Sequence, residues 1–229
     1  MAVPANADTV HLYSGASTEG TYDDNIHMLT GPIDGPLTND FTDAATFAAA
    51  INGPSAYVVT PNEQWVQQIG GDGGGGIFEA SLRTSDLLSP ARWISSDPNG
   101  AQGGSFTALY ALDFTLPEFT DASLHLEFSA DQTLGTTADN GVFLNGTALT
   151  GSGGGNYSQV LTFDFLDVSS LLHSGTNILY LYNVNYGGPS GVMFDATFSY
   201  TPAPVPEPTT ATLFGLSALG GLILSRRCS

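Results

Sequence analysis

The sequence has no lysine and only four arginines, against 22 acidic residues, for a formal net charge of −18. Binding through a phosphate backbone needs basic side chains to displace counterions, so this imbalance excludes an electrostatic nucleic-acid binder. Cysteine is nearly absent. Cys228 is the only one, which leaves the body without a disulfide scaffold or a thiolate metal site. Signatures of catalysis are missing as well. There is no Gly-x-Ser-x-Gly nucleophile elbow. His11, His27, His125 and His173 are dispersed, without the spacing of a His-x-x-x-His ligand pair. The acidic residues are scattered through turns, with no recognisable acid–base carboxylate signature. The run Gly70-Gly71-Asp72-Gly73-Gly74-Gly75-Gly76 lacks the Lys and Ser/Thr of a phosphate-binding loop. No Asp-x-Asp-x-Asp-Gly calcium loop and no solenoid repeat are present. These absences point away from an enzyme.

What remains is a chain of 229 residues, long enough for one large or two small domains. It is 41% hydrophobic, sufficient for a core, and rich in Gly, Thr, Ser, Phe and Tyr, with only 11% charged residues. That composition suits short strands joined by polar turns. The acidic excess keeps an exported protein soluble and can supply oxygen ligands to hard cations such as calcium.

Strand-like alternation begins at Thr9-Val10-His11-Leu12-Tyr13 and recurs at Ala56-Tyr57-Val58-Val59-Thr60. Between them, residues 43–51 form an Ala-rich helical candidate with Thr42 as its N-cap. From residue 91 the pattern is regular. Residues 106–116 alternate around Phe106, Ala108, Tyr110, Leu112 and Phe114, and Leu124-His125-Leu126-Glu127-Phe128 alternates cleanly. Residues 141–146 end in an Asn-Gly turn, and residues 160–166 place Leu161, Phe163 and Phe165 on one face. Residues 177–182 and 192–200 complete the set. Short strands about ten residues apart predict an all-β fold, an antiparallel β-sandwich over residues 8–200, best defined over 91–200.

The two ends of the chain carry a different message. Thr201-Pro202-Ala203-Pro204-Val205-Pro206-Glu207-Pro208 is a Pro-rich, extended linker. Residues 209–224 carry no charge and read as a hydrophobic helix, short of the roughly 20 apolar residues that span a bilayer. Arg226 and Arg227 supply the basic flank expected on the cytoplasmic side. At the other end, Ala5-Asn6-Ala7 before Asp8 is the small-x-small pattern of a signal-peptidase site. Residues 1–7 are therefore read as the remnant of an export signal, with the mature chain beginning near Asp8.

The last 25 or so residues, Pro206-Glu207-Pro208, an apolar helix and Arg226-Arg227 in that order, resemble the PEP-CTERM sorting signal of exopolysaccharide-producing Gram-negative bacteria. The resemblance implies that Pro206, Glu207 and Pro208 are read by an exosortase. Residues 209–229 would hold the substrate transiently in the inner membrane, with Arg226 and Arg227 fixing its orientation. Over residues 91–200 the body resembles the galactose-binding-domain-like jelly roll. That likeness rests on Trp93-Ile94, Phe114-Thr115-Leu116-Pro117, Val142-Phe143-Leu144-Asn145-Gly146 and Leu171-Leu172-His173-Ser174-Gly175-Thr176-Asn177. Many members of that fold bind glycans, and others only bridge domains.

If glycan binding occurs, rings that stack on sugar faces and amides that fix hydroxyls should meet on loops. Trp93, Tyr157, Asn183, Asn185 and Tyr186 are the candidates of that kind. Asp131, Asp139 and Asn140 flank an inter-strand loop and are candidate ligands of a structural calcium, although ordinary turn chemistry explains them too. Three functions stay open: a structural or adhesive protein of the cell surface or exopolysaccharide matrix, a carbohydrate-binding module, and, least supported, a secreted hydrolase.

Overall fold

The structure, a computed structural model, describes residues 7–32, 43–61, 63–69, 89–102 and 106–204. Its elements are β1 (Asp8–Tyr13), β2 (Tyr22–Pro32), the helix α1 (Ala44–Ile51), β3 (Ser55–Val58), β4 (Ile94–Ser95), β5 (Ala101–Gln102), β6 (Phe106–Leu116), β7 (Phe119–Asp131), β8 (Thr133–Leu134), β9 (Val142–Leu144), β10 (Thr147–Ala148), β11 (Leu161–Phe165), β12 (Gly175–Val184), β13 (Gly188–Pro189) and β14 (Gly191–Pro202). These pairings are antiparallel. The all-β expectation therefore holds. All elements lie in one unit, Asn6–Pro202; only Ala203 and Pro204 of a second unit are described.

Twelve strands share one sheet in the order β10-β9-β12-β6-β2-β3-β4-β14-β7-β11, with β1 added to β14 and β8 to β12. The sheet curls because its two long stretches bury the same core. Ala108, Tyr110, Leu112, Phe114, Leu179 and Leu181 from β6 and β12 pack with Leu124, Leu126, Phe128, Val192, Phe194 and Phe198 from β7 and β14. Alternation is what allows this: every second residue of each strand points inward.

The outward faces of the two stretches are covered differently. Over β6 and β12, α1 lays Phe47 and Ala50 against Leu109, Ala111, Phe143, Tyr180 and Tyr182, so β6 and β12 are buried on both faces for much of their length. Its N-cap is Asp43, whose carboxylate accepts from the Ala45 N–H, rather than Thr42, which lies outside the described residues. Over β14 and β7, chain flanking residues 70–88 packs Trp65, Ile69, Ala91 and Trp93 onto Met193.

The structure adds one long strand that sequence alternation did not predict. β2 begins with Tyr22, Asp23, Asp24 and Asn25, a polar run with no apolar alternation. Yet Asp23 is fully buried because its carboxylate accepts the Gly15, Ala16 and Asn25 N–H groups. The expected Asn-Gly turn is present between β9 and β10. Asn145 and Gly146 both have positive φ, 51° and 84°, as a tight hairpin turn requires. Asn145 is held there by donating to the Leu171 carbonyl and accepting from the Ile178 N–H.

Candidate functional site

Pro206, Glu207, Pro208, Arg226 and Arg227, with the hydrophobic stretch 209–224, lie outside the described residues, as do residues 1–6 and 70–76. Among the described residues no helix is long and apolar enough to cross a membrane.

The candidate glycan contacts separate into two groups. Tyr157 and Tyr186 stand on loops and are exposed, Tyr186 by 57%. Trp93, Asn183 and Asn185 are buried, and here the structure corrects the reading. Trp93 packs against Trp65 at 4.2 Å between ring centroids, the rings tilted by 36°, and donates its indole N–H to the Val66 carbonyl. Its ring faces Met193 and the chain around it, so no face is open to a sugar. Asn183 donates to the carbonyls of Asp131 and Thr133 and accepts from the Ser190 hydroxyl. Asn185 shapes its own turn, accepting from the Gly187 N–H. A buried amide whose hydrogen bonds go to its own chain holds loops together.

The calcium candidates are likewise held by separate partners. Asp131 accepts the indole N–H of Trp65 at 2.7 Å. Burial pushes its carboxyl pKa up, against the lowering effect of the Trp65 and Gln132 N–H groups. Asp139 accepts from the Gly151 N–H, and Asn140 accepts from the Thr136 and Thr137 N–H groups. Among the described residues no group of three or more His, Cys, Asp or Glu could hold a metal ion.

A second region was not visible in the sequence. Strands β1, β14, β7 and β11 lie side by side, and their register sets Tyr13, Asp195, Glu127 and Thr162 in one row and His11, Thr197, His125 and Asp164 in the next. All of these point away from the main core, with Tyr13 at the margin packing against the Trp65–Trp93 layer. His11 Nε2 lies 2.8 Å from both carboxylate oxygens of Asp195. His125 Nδ1 lies 2.7 Å from Asp164. Glu127 sits between the two pairs, directly opposite Asp195. Its carboxyl pKa is pushed up, first by burial and then by the charges of Asp195 and Asp164. His125 and the Thr162 hydroxyl pull the other way. The site is rich in acceptors: three carboxylates, two imidazoles and a line of hydroxyls on four adjacent strands.

Both ends of the domain's chain leave from one end of this face, because Asp8 pairs with Tyr200 at the outer limit of the β1–β14 ladder. The opposite end carries the loops of Tyr157 and Tyr186. Compared with protein-family models and with curated proteins, the chain gives no match.

Proposed function

We propose that this chain is an exported protein of the cell surface or exopolysaccharide matrix, sorted by an exosortase through its C-terminal signal, with a structural or adhesive role. The observation that carries the reading is the ordered tail: Pro206-Glu207-Pro208, an uncharged apolar stretch, then Arg226-Arg227. A body with strands on nearly every segment, no thiol and a large acidic excess is consistent with life outside the cell. The ladder that brings Asp8 beside Tyr200 supports it further, since a domain whose ends leave together can stand on a single tether with its far loops free. In this reading the fold is a jelly-roll β-sandwich. Residues 209–229 form a hydrophobic helix with a basic tail, held in the inner membrane only until processing.

A carbohydrate-binding role is the second reading. The exposed Tyr186 and the acceptor-rich face of β1, β14, β7 and β11 favour it, because sugar hydroxyls are donors that such groups can take. Its partner would be the exopolysaccharide itself.

Intact-mass measurement of the protein from cells with and without an exosortase tests the sorting claim. The expected result is a mature C-terminus near residues 206–208 in the first and an intact tail in the second. An identical, uncleaved tail in both would overturn it.

A further inference from the structure

The sheet ends at β11, and among the described residues no strand lies beyond it. An open edge is an invitation to pair, and proteins usually blunt it with Pro, Lys or a bulge. β11, Leu-Thr-Phe-Asp-Phe, has none of these. Its apolar side chains are incompletely covered. Leu161, Phe163 and Phe165 are each half-buried, with Phe163 stacked on Phe128 at 5.5 Å, and the next residue, Leu166, is 87% exposed.

The ladders fix which backbone groups of β11 face outward. Ser14 donates its N–H to the Phe194 carbonyl, and Phe194 donates its N–H to the Ser14 hydroxyl, so both backbone groups of Phe194 point toward β1. In an antiparallel ladder the direction alternates with each residue, so those of Asp195 point toward β7 and meet Glu127. Leu124, Leu126 and Phe128 therefore point toward β11. Ala122 confirms the parity, since on that side it accepts from the Val168 N–H and donates to the Ser169 hydroxyl. Leu161, Phe163 and Phe165 are consequently spent on β7, and the open groups are the N–H and C=O of Thr162 and Asp164.

We propose that β11 pairs with β11 of a second copy of this chain, antiparallel about a two-fold axis at Phe163. That register sets Thr162 opposite the partner's Asp164, so the two residues holding open backbone groups exchange both hydrogen bonds with each other, on each side of the axis. The sequence is its own complement in this arrangement. Leu161 meets the partner's Phe165, Phe163 meets the partner's Phe163, and each Asp164 carboxylate meets a threonine hydroxyl. A slip of two residues toward the C-terminus would set Asp164 against its own copy, carboxylate facing carboxylate, which is unfavourable. The rows of the polar face then run on from one copy into the next, Glu127 and Thr162 continuing into the partner's Asp164 and His125. An edge of five residues buries well under the roughly 1,200 Å² of a stable interface, so pairing is weak and driven by local concentration.

Sedimentation of the full chain in mild detergent, as a concentration series, tests this against Thr162→Pro. Proline removes an N–H that no intramolecular pair uses, and an edge position facing solvent tolerates it. Both proteins carry the same tail, so association through it is common to both. The wild type should rise from monomer toward dimer with concentration, while Thr162→Pro stays monomeric. Equal association of the two, or a wild type still monomeric at about 1 mM, overturns the proposal. Hydrogen exchange on the wild type decides independently of the variant's folding. The Thr162 and Asp164 amides should be protected at high concentration and exchange freely on dilution. Protection that survives dilution would mean that another part of the same chain covers the edge, and the pairing of copies would be wrong.

Discussion

Replacing Glu127 by Gln should stabilise the protein at neutral pH and do nothing at pH 4. Glu127 lies directly across the β14–β7 ladder from Asp195, and Asp164 sits on the neighbouring row of β11. Like charges directly opposite on paired strands cost on the order of 0.2–1 kcal/mol. Burial is the larger cost of the charged form, and His125 and Thr162 offset part of the total. The folded protein therefore keeps the Glu127 proton to a higher pH than the unfolded chain does. Between the ordinary value of 4.5 and the raised folded value, the folded state binds more protons, so stability falls as pH rises through that window. Below the window the carboxyl is neutral in both states and the substitution is silent. Above it the charge is a standing penalty that Gln removes, and the amide can donate to Asp195 as well. The expected gain at pH 7 is about 0.5–1 kcal/mol, which for a domain of this size is a rise in Tm of about 1–4 °C. Thermal unfolding of both proteins at pH 7 and pH 4, in low salt and in 1 M salt, reads it. The difference should shrink in high salt, because Glu127 is only partly buried. A variant less stable than wild type at pH 7, or a difference that ignores pH, would refute the account of this face.

Two further outcomes test the packing. Phe47→Ala should cost about 3–5 kcal/mol in urea unfolding, since its ring packs edge-on against both Phe143 and Tyr180 and is the main contact of α1 with the sheet; a loss below about 1 kcal/mol would mean that α1 does not cap this face. Trp65→Phe keeps most of the ring but leaves the buried Asp131 carboxylate without its indole donor, at a cost of about 1–3 kcal/mol that should diminish as acid protonates Asp131.

How far the sequence could be read follows from the range of the interactions. Local alternation predicted the long strands from Phe106 onward, because each displays its inward face within ten residues. The Asn145-Gly146 turn was visible for the same reason, its chemistry being confined to adjacent residues. β2 was hidden because the burial of Asp23 depends on N–H groups that only the folded chain assembles. Trp93 reads as a candidate sugar platform because the ring it packs against, Trp65, lies 28 positions earlier, beyond any periodicity. The polar face was the least accessible of all. His11 and Asp195 are 184 positions apart, and His125 and Asp164 are 39 apart. In the sequence alone each is a lone polar residue with no neighbour that points to its partner.

The closure of β1 onto β14 joins these observations. By pairing the first strand with the last, the chain brings His11 to Asp195, which places an imidazole beside a carboxylate that would otherwise face Glu127 with no offsetting partner. The same pairing puts both chain ends at one end of the domain, while β11 lies at one limit of the sheet order. The common exit of the two chain ends and the acceptor-rich face are thus consequences of a single topological choice. A domain held by one end and joined to a second copy through β11 would extend the rows of hydroxyls and carboxylates sideways into that copy. Weak contacts made at each copy would then act together, so retention in a polysaccharide matrix would not require tight binding at any single site.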